Sequence, residues 1–203
     1  MALKTYATLN PLDKTSTLTL SGGNLVASTS SAATHTGVRS TISVSSGKWY
    51  WEYTITAIGG GCMNGVSLSS ASLVSGQAYP GFDASGWGYQ NSANKYNGAG
   101  GAAYGATFTT GDVIGVALDM GTTTITMYKN NASQGSMFTN VTGSIFAHVS
   151  IQSGTGTITA NFGATTMTYT APAGYNQGLY TEISPSFRVV QRRPALFKPG
   201  NSK

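Results

Sequence analysis

The sequence has little charge and a single cysteine. Charged residues make up 8% of the 203 residues, and Cys62 has no second cysteine with which to form an internal disulfide. An average soluble domain has about 25% charged residues, so a coiled coil, a helical bundle or a charge-rich disordered chain is excluded. We interpret Cys62 as a small buried hydrophobic residue rather than a nucleophile.

Long apolar runs are missing as well. The first residues, MALKTYATLNPLDK, contain no apolar stretch of the kind that a secretory signal needs. No run approaches the roughly 18 residues of a membrane span. We therefore expect a chain that is made in a cytoplasm and does not insert into a membrane.

Small, β-branched and aromatic residues are abundant instead. The chain has 27 glycines, 28 threonines, 24 serines and 11 tyrosines, a composition that favours strands and tight turns over helices. Apolar and polar residues alternate in about ten short segments, among them 38–44, 48–55, 112–119 and 156–162. In 48–55 the alternation places Glu52 on the polar face, where a neighbouring lysine would pair with it. The pattern predicts an all-β fold, an antiparallel two-sheet β-sandwich.

The alternation also predicts the domain organisation. Residues 15–180 form the sandwich, residues 1–14 a short N-terminal arm, and residues 181–203 an extended basic C-terminal arm with three prolines. The C-terminal arm carries five basic residues and one acidic residue, whereas residues 1–180 are nearly neutral. Because the body has no basic stripe, we do not expect nucleic acid as a partner.

Several ordered motifs resemble the SPRY (B30.2-like) domain over roughly residues 40–180. These motifs are Gly47-Lys48-Trp49-Tyr50-Trp51-Glu52-Tyr53, Asn64-Gly65-Val66-Ser67, Trp87-Gly88-Tyr89, the segment 111–119, the hairpin 124–130 and the closing segment 158–163. The abundance of Ser, Thr, Gly and Ala is similar to the SPRY modules of bacteriophage structural proteins. The resemblance implies a bent two-sheet sandwich that binds proteins, or sometimes glycans, through loops on one rim, and it implies no catalysis. The sequence departs from the family pattern at Asn131 and at Ala147, where glycine and proline are usual.

The segment 79–104 is the candidate binding region. It places aromatic residues among Gly, Ser and Asn, a mixture that combines rigid contacts with adaptable hydrogen bonding. Trp87, Tyr89 and Tyr104 are expected in the core as family positions. The residues expected to form the exposed binding surface are Tyr79, Phe82, Asp83, Asn94 and Tyr96.

The C-terminal arm alternates apolar and basic residues between prolines, which is typical of an extended peptide that docks onto another subunit. The candidate anchoring residues are Phe187, Arg188, Arg192, Arg193, Leu196, Phe197 and Lys198.

Catalytic and metal-binding patterns are weak. His35 and His148 have no Cys or Glu at metal-ligand spacing, so we expect no metal, and we expect no cofactor. Asp112 and Asp119 bracket one strand and suit turn capping, which leaves no obvious pair of carboxylates for hydrolysis. The chain is therefore expected not to be an enzyme.

Two functional hypotheses remain open. The first is a bacteriophage virion protein, either tail- or fibre-associated or a head decoration, which is fixed to other virion proteins by its C-terminal arm and contacts a host-surface glycan or protein through its loops. The second is an intracellular SPRY-type adaptor that binds other proteins. The sequence leaves open whether the chain forms a homo-oligomer.

Overall fold

The computed structural model describes residues 3–30, 32, 35–98 and 100–183. All regular elements in this part of the chain are strands, which confirms the all-β prediction. Within it there is also no helix of the length and apolar character that would cross a membrane. The expected anchoring residues between 187 and 198 lie outside the described residues.

One sheet has seven strands, each antiparallel to its neighbours. In spatial order they are β10 (Ala102–Ala103), β9 (Asn94–Tyr96), β8 (Gly86–Gln90), β7 (Gly61–Ser67), β14 (Ile145–Gln152), β5 (Thr36–Val44) and β2 (Leu9–Lys14).

The second sheet faces the first and is also antiparallel along its main path. Its order is β13 (Ala132–Phe138), β12 (Thr124–Lys129), β11 (Val113–Asp119), β6 (Lys48–Ala57), β15 (Gly156–Asn161), β4 (Val26–Thr29) and β3 (Thr19–Ser21). The short strand β16 (Asn176–Gln177) adds to β6 in parallel. A separate ribbon pairs β1 (Leu3–Tyr6) with β17 (Tyr180–Ile183).

The core lies between the two sheets. Strand β6 contributes Trp51, Tyr53 and Ile55, and β14 contributes Val149 and Ile151, each at most 1% exposed. These residues occupy alternate positions, as the period of two for a half-buried strand requires. The predicted sandwich is confirmed. The apolar residues at alternate positions, from which it was predicted, form its core.

Strand β6 is buried on its second face too. Tyr50 and Glu52 are each 1% exposed, because Thr168 and Tyr169 lie against Glu52 and the Tyr128 ring packs on Tyr50. The Glu52 carboxylate accepts hydrogen bonds from the backbone N–H groups of Thr168, at 2.7 Å, and Tyr169, at 2.8 Å. The expected lysine partner for Glu52 is wrong, since backbone N–H groups of a later segment fill that role.

The described parts of the two predicted arms contain strands. Within residues 1–14, the described residues 3–14 form β1 and β2, and the N–H of Ala7 donates to the carbonyl of Leu179 at 2.8 Å. Residues 181–183 belong to β17. Residues 15–18 connect β2 to β3 through a turn. Short strands interrupted by Pro11 carry too few alternating residues to be found from sequence.

The turns follow the expected chemistry. Asn130 and Asn131 both have positive φ, 47° and 69°, and join β12 to β13, as a two-residue hairpin turn of this kind requires. Asp119 Oδ1 accepts from the N–H of Gly121 at 2.9 Å, and Asp112 Oδ2 from the N–H of Thr109 at 2.8 Å. Both aspartates therefore cap turns.

Candidate functional site

A row of residues crosses the outer face of the seven-stranded sheet, the face that points away from the second sheet. In register order the row is Arg39 on β5, His148 on β14, Gly65 on β7, Gly88 on β8 and Tyr96 on β9. Because two neighbouring positions of this row are glycines, the middle of the sheet has no side chains to keep another segment at a distance.

The segment 68–85, called here the covering loop, lies against this outer face. A Cβ at Gly37 would overlap the carbonyl oxygen of Ala78, and a Cβ at Gly88 would overlap that of Pro80. The backbone of the loop therefore approaches the sheet at a distance that only glycine permits. Glycine positions on β5 and β8 thus determine where the loop lies.

Arg39 ties the covering loop to the rest of the sheet. Its guanidinium forms two hydrogen bonds with the Asp13 carboxylate, at 2.7 and 2.8 Å, and donates to the carbonyl oxygens of Leu68 at 3.3 Å and Ala71 at 2.8 Å. The Arg39 side chain is 6% exposed. A planar guanidinium can serve a carboxylate and two carbonyls together in this way, whereas an ammonium group cannot match the paired geometry.

Four rings meet where the covering loop passes over the outer face of the sheet. The ring centroid of Tyr79 lies 4.3 Å from that of His35, 5.4 Å from that of Phe82 and 6.3 Å from that of Tyr96. The contacts with Phe82 and Tyr96 are edge-to-face, an arrangement that aromatic quadrupoles favour. All four residues are half-buried. We call these four residues the Tyr79 surface.

The Tyr79 surface is uncharged at neutral pH. Burial lowers the pKa of His35 to about 4, so its imidazole stays neutral. Burial, with a smaller contribution from Tyr96, raises the pKa of Tyr79. The Tyr79 hydroxyl has no hydrogen-bond partner among the described residues, whereas the Tyr96 hydroxyl donates to Gln90 Oε1 at 3.1 Å. The surface thus offers flat apolar rings and one free hydroxyl.

Two of the five predicted binding residues have turn roles. Asp83 Oδ1 accepts from the N–H of Ser85 at 2.8 Å, and Asn94 Nδ2 donates to Ser92 Oγ at 3.1 Å. Asn94 is two positions from Tyr96 on β9 and so lies on the same face. The structure therefore brings Tyr79, Phe82 and Tyr96 together, with Asp83 and Asn94 in neighbouring turns.

Sequence reasoning missed His35 and the exposed side chain of Val74. His35 precedes β5 and is 44 positions from Tyr79 in the chain; the N–H of Gly76 donates to its carbonyl at 2.9 Å. Val74 is 64% exposed in the covering loop. No local pattern marks either residue, but the glycines at alternate positions of β7 and β8 could have indicated a segment packed over the sheet.

The remaining aromatic residues and histidine are structural. Trp87, Tyr89 and Tyr104 are at most 9% exposed, as expected for core positions. His148 is fully buried, and its Nδ1 lies 3.0 Å from Ser67 Oγ. Within the described ranges, no group of three or more His, Cys, Asp or Glu side chains could hold a metal ion.

Comparison with known proteins identifies the sandwich. The model of the family described as the SPRY domain matches residues 48–165. Ran-binding protein 9 of Xenopus tropicalis is 35% identical over 164 residues, which cover 76% of this chain and 29% of the relative. Ran-binding protein 9 of Homo sapiens is 34% identical over 119 residues, covering 58% of this chain and 16% of the relative. The chain thus matches less than a third of the length of these relatives.

Solved structures agree on the fold. The SPRY domain of human HERC1 superposes with a TM-score of 0.64 at 21% identity, covering 75% of this chain and 96% of that chain. Stonustoxin gives a TM-score of 0.61 at 21% identity, covering 77% of this chain and 27% of that chain. None of the four proteins named here is a bacteriophage protein.

Proposed function

The chain belongs to the SPRY domain family, and from this premise we propose that it is a non-enzymatic adaptor that binds a partner protein through the Tyr79 surface. Membership indicates a role in protein–protein interaction. The observation that carries the proposed location is the cluster of four half-buried rings, of which Tyr79 and Phe82 belong to the covering loop that is held against the sheet. Of the two hypotheses from the sequence, the adaptor is the one that the relatives favour.

The chemistry of the surface suits an extended peptide. Half-buried aromatic rings supply contact area with little loss of side-chain entropy, and the Tyr79 hydroxyl can donate to a backbone carbonyl of the ligand. Because Arg39 and the glycines hold the covering loop in place, little ordering entropy is lost on binding. The Ran binding stated in the name of the relatives belongs to proteins more than three times as long as the matched segment, so it does not by itself define the partner of this chain.

The carboxylates support a role without catalysis. Asp13 is bonded to Arg39, Glu52 to two backbone N–H groups, and Asp112 and Asp119 to turns and lysines. Most glycoside hydrolases use two carboxyl groups that face one cleft, and these four have separate structural partners.

The test is selection of peptides from a random display library on the full chain. The selected peptides are then measured by titration calorimetry against Tyr79→Ala and against Tyr128→Ala. Tyr128 is a matched control, since it is also half-buried but packs on Tyr50 in the other sheet. We expect Tyr79→Ala to weaken binding at least about tenfold, the size of an interface aromatic contact, and Tyr128→Ala to have no effect. Equal binding to Tyr79→Ala and the wild type would overturn the proposal.

The virion hypothesis stays a prediction. It depends on the composition of the chain and on the anchoring segment, which lies outside the described residues. Mass spectrometry of intact particles from the source, with full-length chain and a 1–180 truncation, tests it directly.

A further inference from the structure

An open groove of about 560 Å³ lies at the side of the sandwich where β9 and β10 end one sheet and β13 ends the other. Its lining includes Lys95, Asn97, Met137, Phe138 and Asn140. We call it the Lys95 groove. Lys95 and Tyr96 are consecutive on β9, so their side chains point to opposite faces of the sheet. The groove is therefore separate from the Tyr79 surface.

The backbone of β13 is partly occupied on this side. The hydroxyl of Tyr104 donates to the carbonyl of Gly135 at 2.6 Å, and Lys95 Nζ donates to the carbonyl of Met137 at 2.8 Å. A ligand that adds to β13 as a further strand would compete with both bonds. The groove is thus suited to a ligand that is recognised through its side chains.

Lys95 is the charged residue of the lining, and it lacks an acidic partner. Its ammonium lies 4.9 Å from the ring centroid of Phe138, and no described carboxylate lies within 4 Å, whereas Lys48 and Lys129 have aspartates at 2.9 and 3.3 Å. An ammonium group has three N–H donors, of which Met137 uses one. Lys95 therefore has the capacity to bind a carboxylate from outside.

The charge of the chain argues against two occupants. Residues 184–203 of this chain carry five basic residues and no acidic residue, so they would be repelled by Lys95. A second copy has six carboxylates, of which Asp13, Glu52, Asp112 and Asp119 are already bonded within the fold. Lys95, the charged residue of the lining, instead favours an occupant that brings a carboxylate from outside, which is an acidic partner.

We propose that the Lys95 groove binds an extended acidic peptide segment of a partner protein, with a ligand carboxylate on the Lys95 ammonium and a neighbouring apolar side chain against the partly buried ring of Phe138. Asn97 and Asn140 line the same groove. Asn97 Nδ2 donates to the carbonyls of Ala84 and Gly86, and Asn140 Oδ1 accepts from Trp87 Nε1, so it is Asn97 Oδ1 and Asn140 Nδ2 that can bond the peptide groups beside the carboxylate. This site is additional to the Tyr79 surface and does not depend on it.

The test uses ¹⁵N-labelled full chain and a pool of capped heptapeptides. Each peptide has a central Glu, with the flanking positions randomised among Val, Leu, Phe and Ser, and a twin pool has Gln in place of Glu. We expect saturable amide shifts at residues 95–97 and 136–140 with the Glu pool, and an affinity at least about tenfold lower with the Gln pool. Lys95→Gln should remove the response and Lys95→Arg should keep it. Lys4→Gln, which removes the same charge from β1, should leave it unchanged.

Several results would overturn the inference. Amide shifts confined to the Tyr79 surface would show that the peptide binds elsewhere. Amide shifts that spread over the chain and disappear in 300 mM salt would show non-specific electrostatic attraction. Absence of shifts at 5 mM peptide in folded protein would exclude the groove as a peptide site. If a glucuronate disaccharide shifted the groove amides and the peptides did not, the ligand would be an acidic glycan instead. If Tyr79→Ala binds the selected peptides as well as the wild type does, the amide shifts expected at the Lys95 groove are unaffected. The two proposals can therefore fail separately.

Discussion

At the scale of single residues, Glu52 shows how a later segment changes the role of a side chain. The alternation in β6 indicates a polar, outward position, and the local pattern cannot show that Thr168 and Tyr169 later pack against Glu52. In the structure the carboxylate is 1% exposed and receives two backbone N–H groups and the hydroxyl of Tyr50, at 3.1 Å. A buried carboxylate is tolerated because these donors replace water.

We predict that Glu52→Gln lowers the free energy of unfolding by about 1–3 kcal/mol, because an amide offers one acceptor oxygen where the carboxylate offers two and places an N–H against existing donors. Urea unfolding followed by fluorescence measures this, with an unchanged slope and a lower midpoint. Glu182→Gln is the control, since Glu182 is exposed on β17 and its loss should change stability little. If the two variants had equal midpoints, the structural role assigned to Glu52 would be wrong.

At the scale of elements, the covering loop and the sheet beneath it form one unit. Three of the five binding residues expected from the sequence, Tyr79, Phe82 and Tyr96, are close because β9 lies beside β8 and the loop crosses both. Their residue types could be predicted from the mixture of aromatic and small residues. The contribution of His35 could not be predicted, because it depends on the position of β5 in the sheet. That position is set by pairing between strands that are far apart in the sequence.

The glycine at position 88 offers a direct test of this unit. We predict that Gly88→Ala displaces the covering loop, because its Cβ would overlap the carbonyl of Pro80, and that stability falls by about 1–3 kcal/mol, as for other overpacked sites. Peptides selected on the Tyr79 surface should bind more weakly to this variant. Thermal unfolding and calorimetry measure the two effects.

Gly121→Ala serves as the control for Gly88→Ala. Gly121 lies in the turn after β11, where an added Cβ would meet one side-chain oxygen of Asp119 at 3.2 Å, and this turn is far from the covering loop in the sheet order. Peptide binding that is reduced equally by both substitutions would contradict the positioning role of Gly88.

At the scale of the whole molecule, sequence and structure agree where a strand alternates strongly. Strand β15 alternates buried and half-buried residues, and β6 and β11 carry large apolar residues at every second position although both of their faces are largely buried. All three strands could be found from the sequence pattern. Strands β4 and β13 could not, because β4 has only four residues, and β13 has four exposed residues out of seven and register shifts in its pairing to β12. The resemblance to the SPRY family also predicts the order of the motifs along the chain. The two-residue alternation of the strands does not define that order by itself.

The response of the whole fold to acid follows from its two histidines. His148 is fully buried, and burial, with a smaller contribution from the Arg39 charge, lowers its pKa to about 3. His35 has its pKa lowered to about 4 by burial. In the unfolded chain both would titrate near 6.5, so between about pH 6.5 and 4 the unfolded state binds protons that the folded state does not. Stability is therefore retained above about pH 6.5 and lost as the pH falls below it.

We predict that the free energy of unfolding decreases below pH 6.5, with His148 contributing up to about 1.4 kcal/mol per pH unit and the partly accessible His35 less. The lowered pKa values of Asp112 and Asp119 act in the same direction but below about pH 4, so the histidines dominate this window. Denaturant unfolding between pH 4.5 and 8 measures the slope. His148→Gln should flatten it, because Gln does not titrate, while His35→Gln should flatten it less. If His148→Gln kept the wild-type slope, the acid response would have to come from other groups. The buried neutral imidazole of His148 beneath the covering loop would then not be the group that links the stability of this sheet to pH.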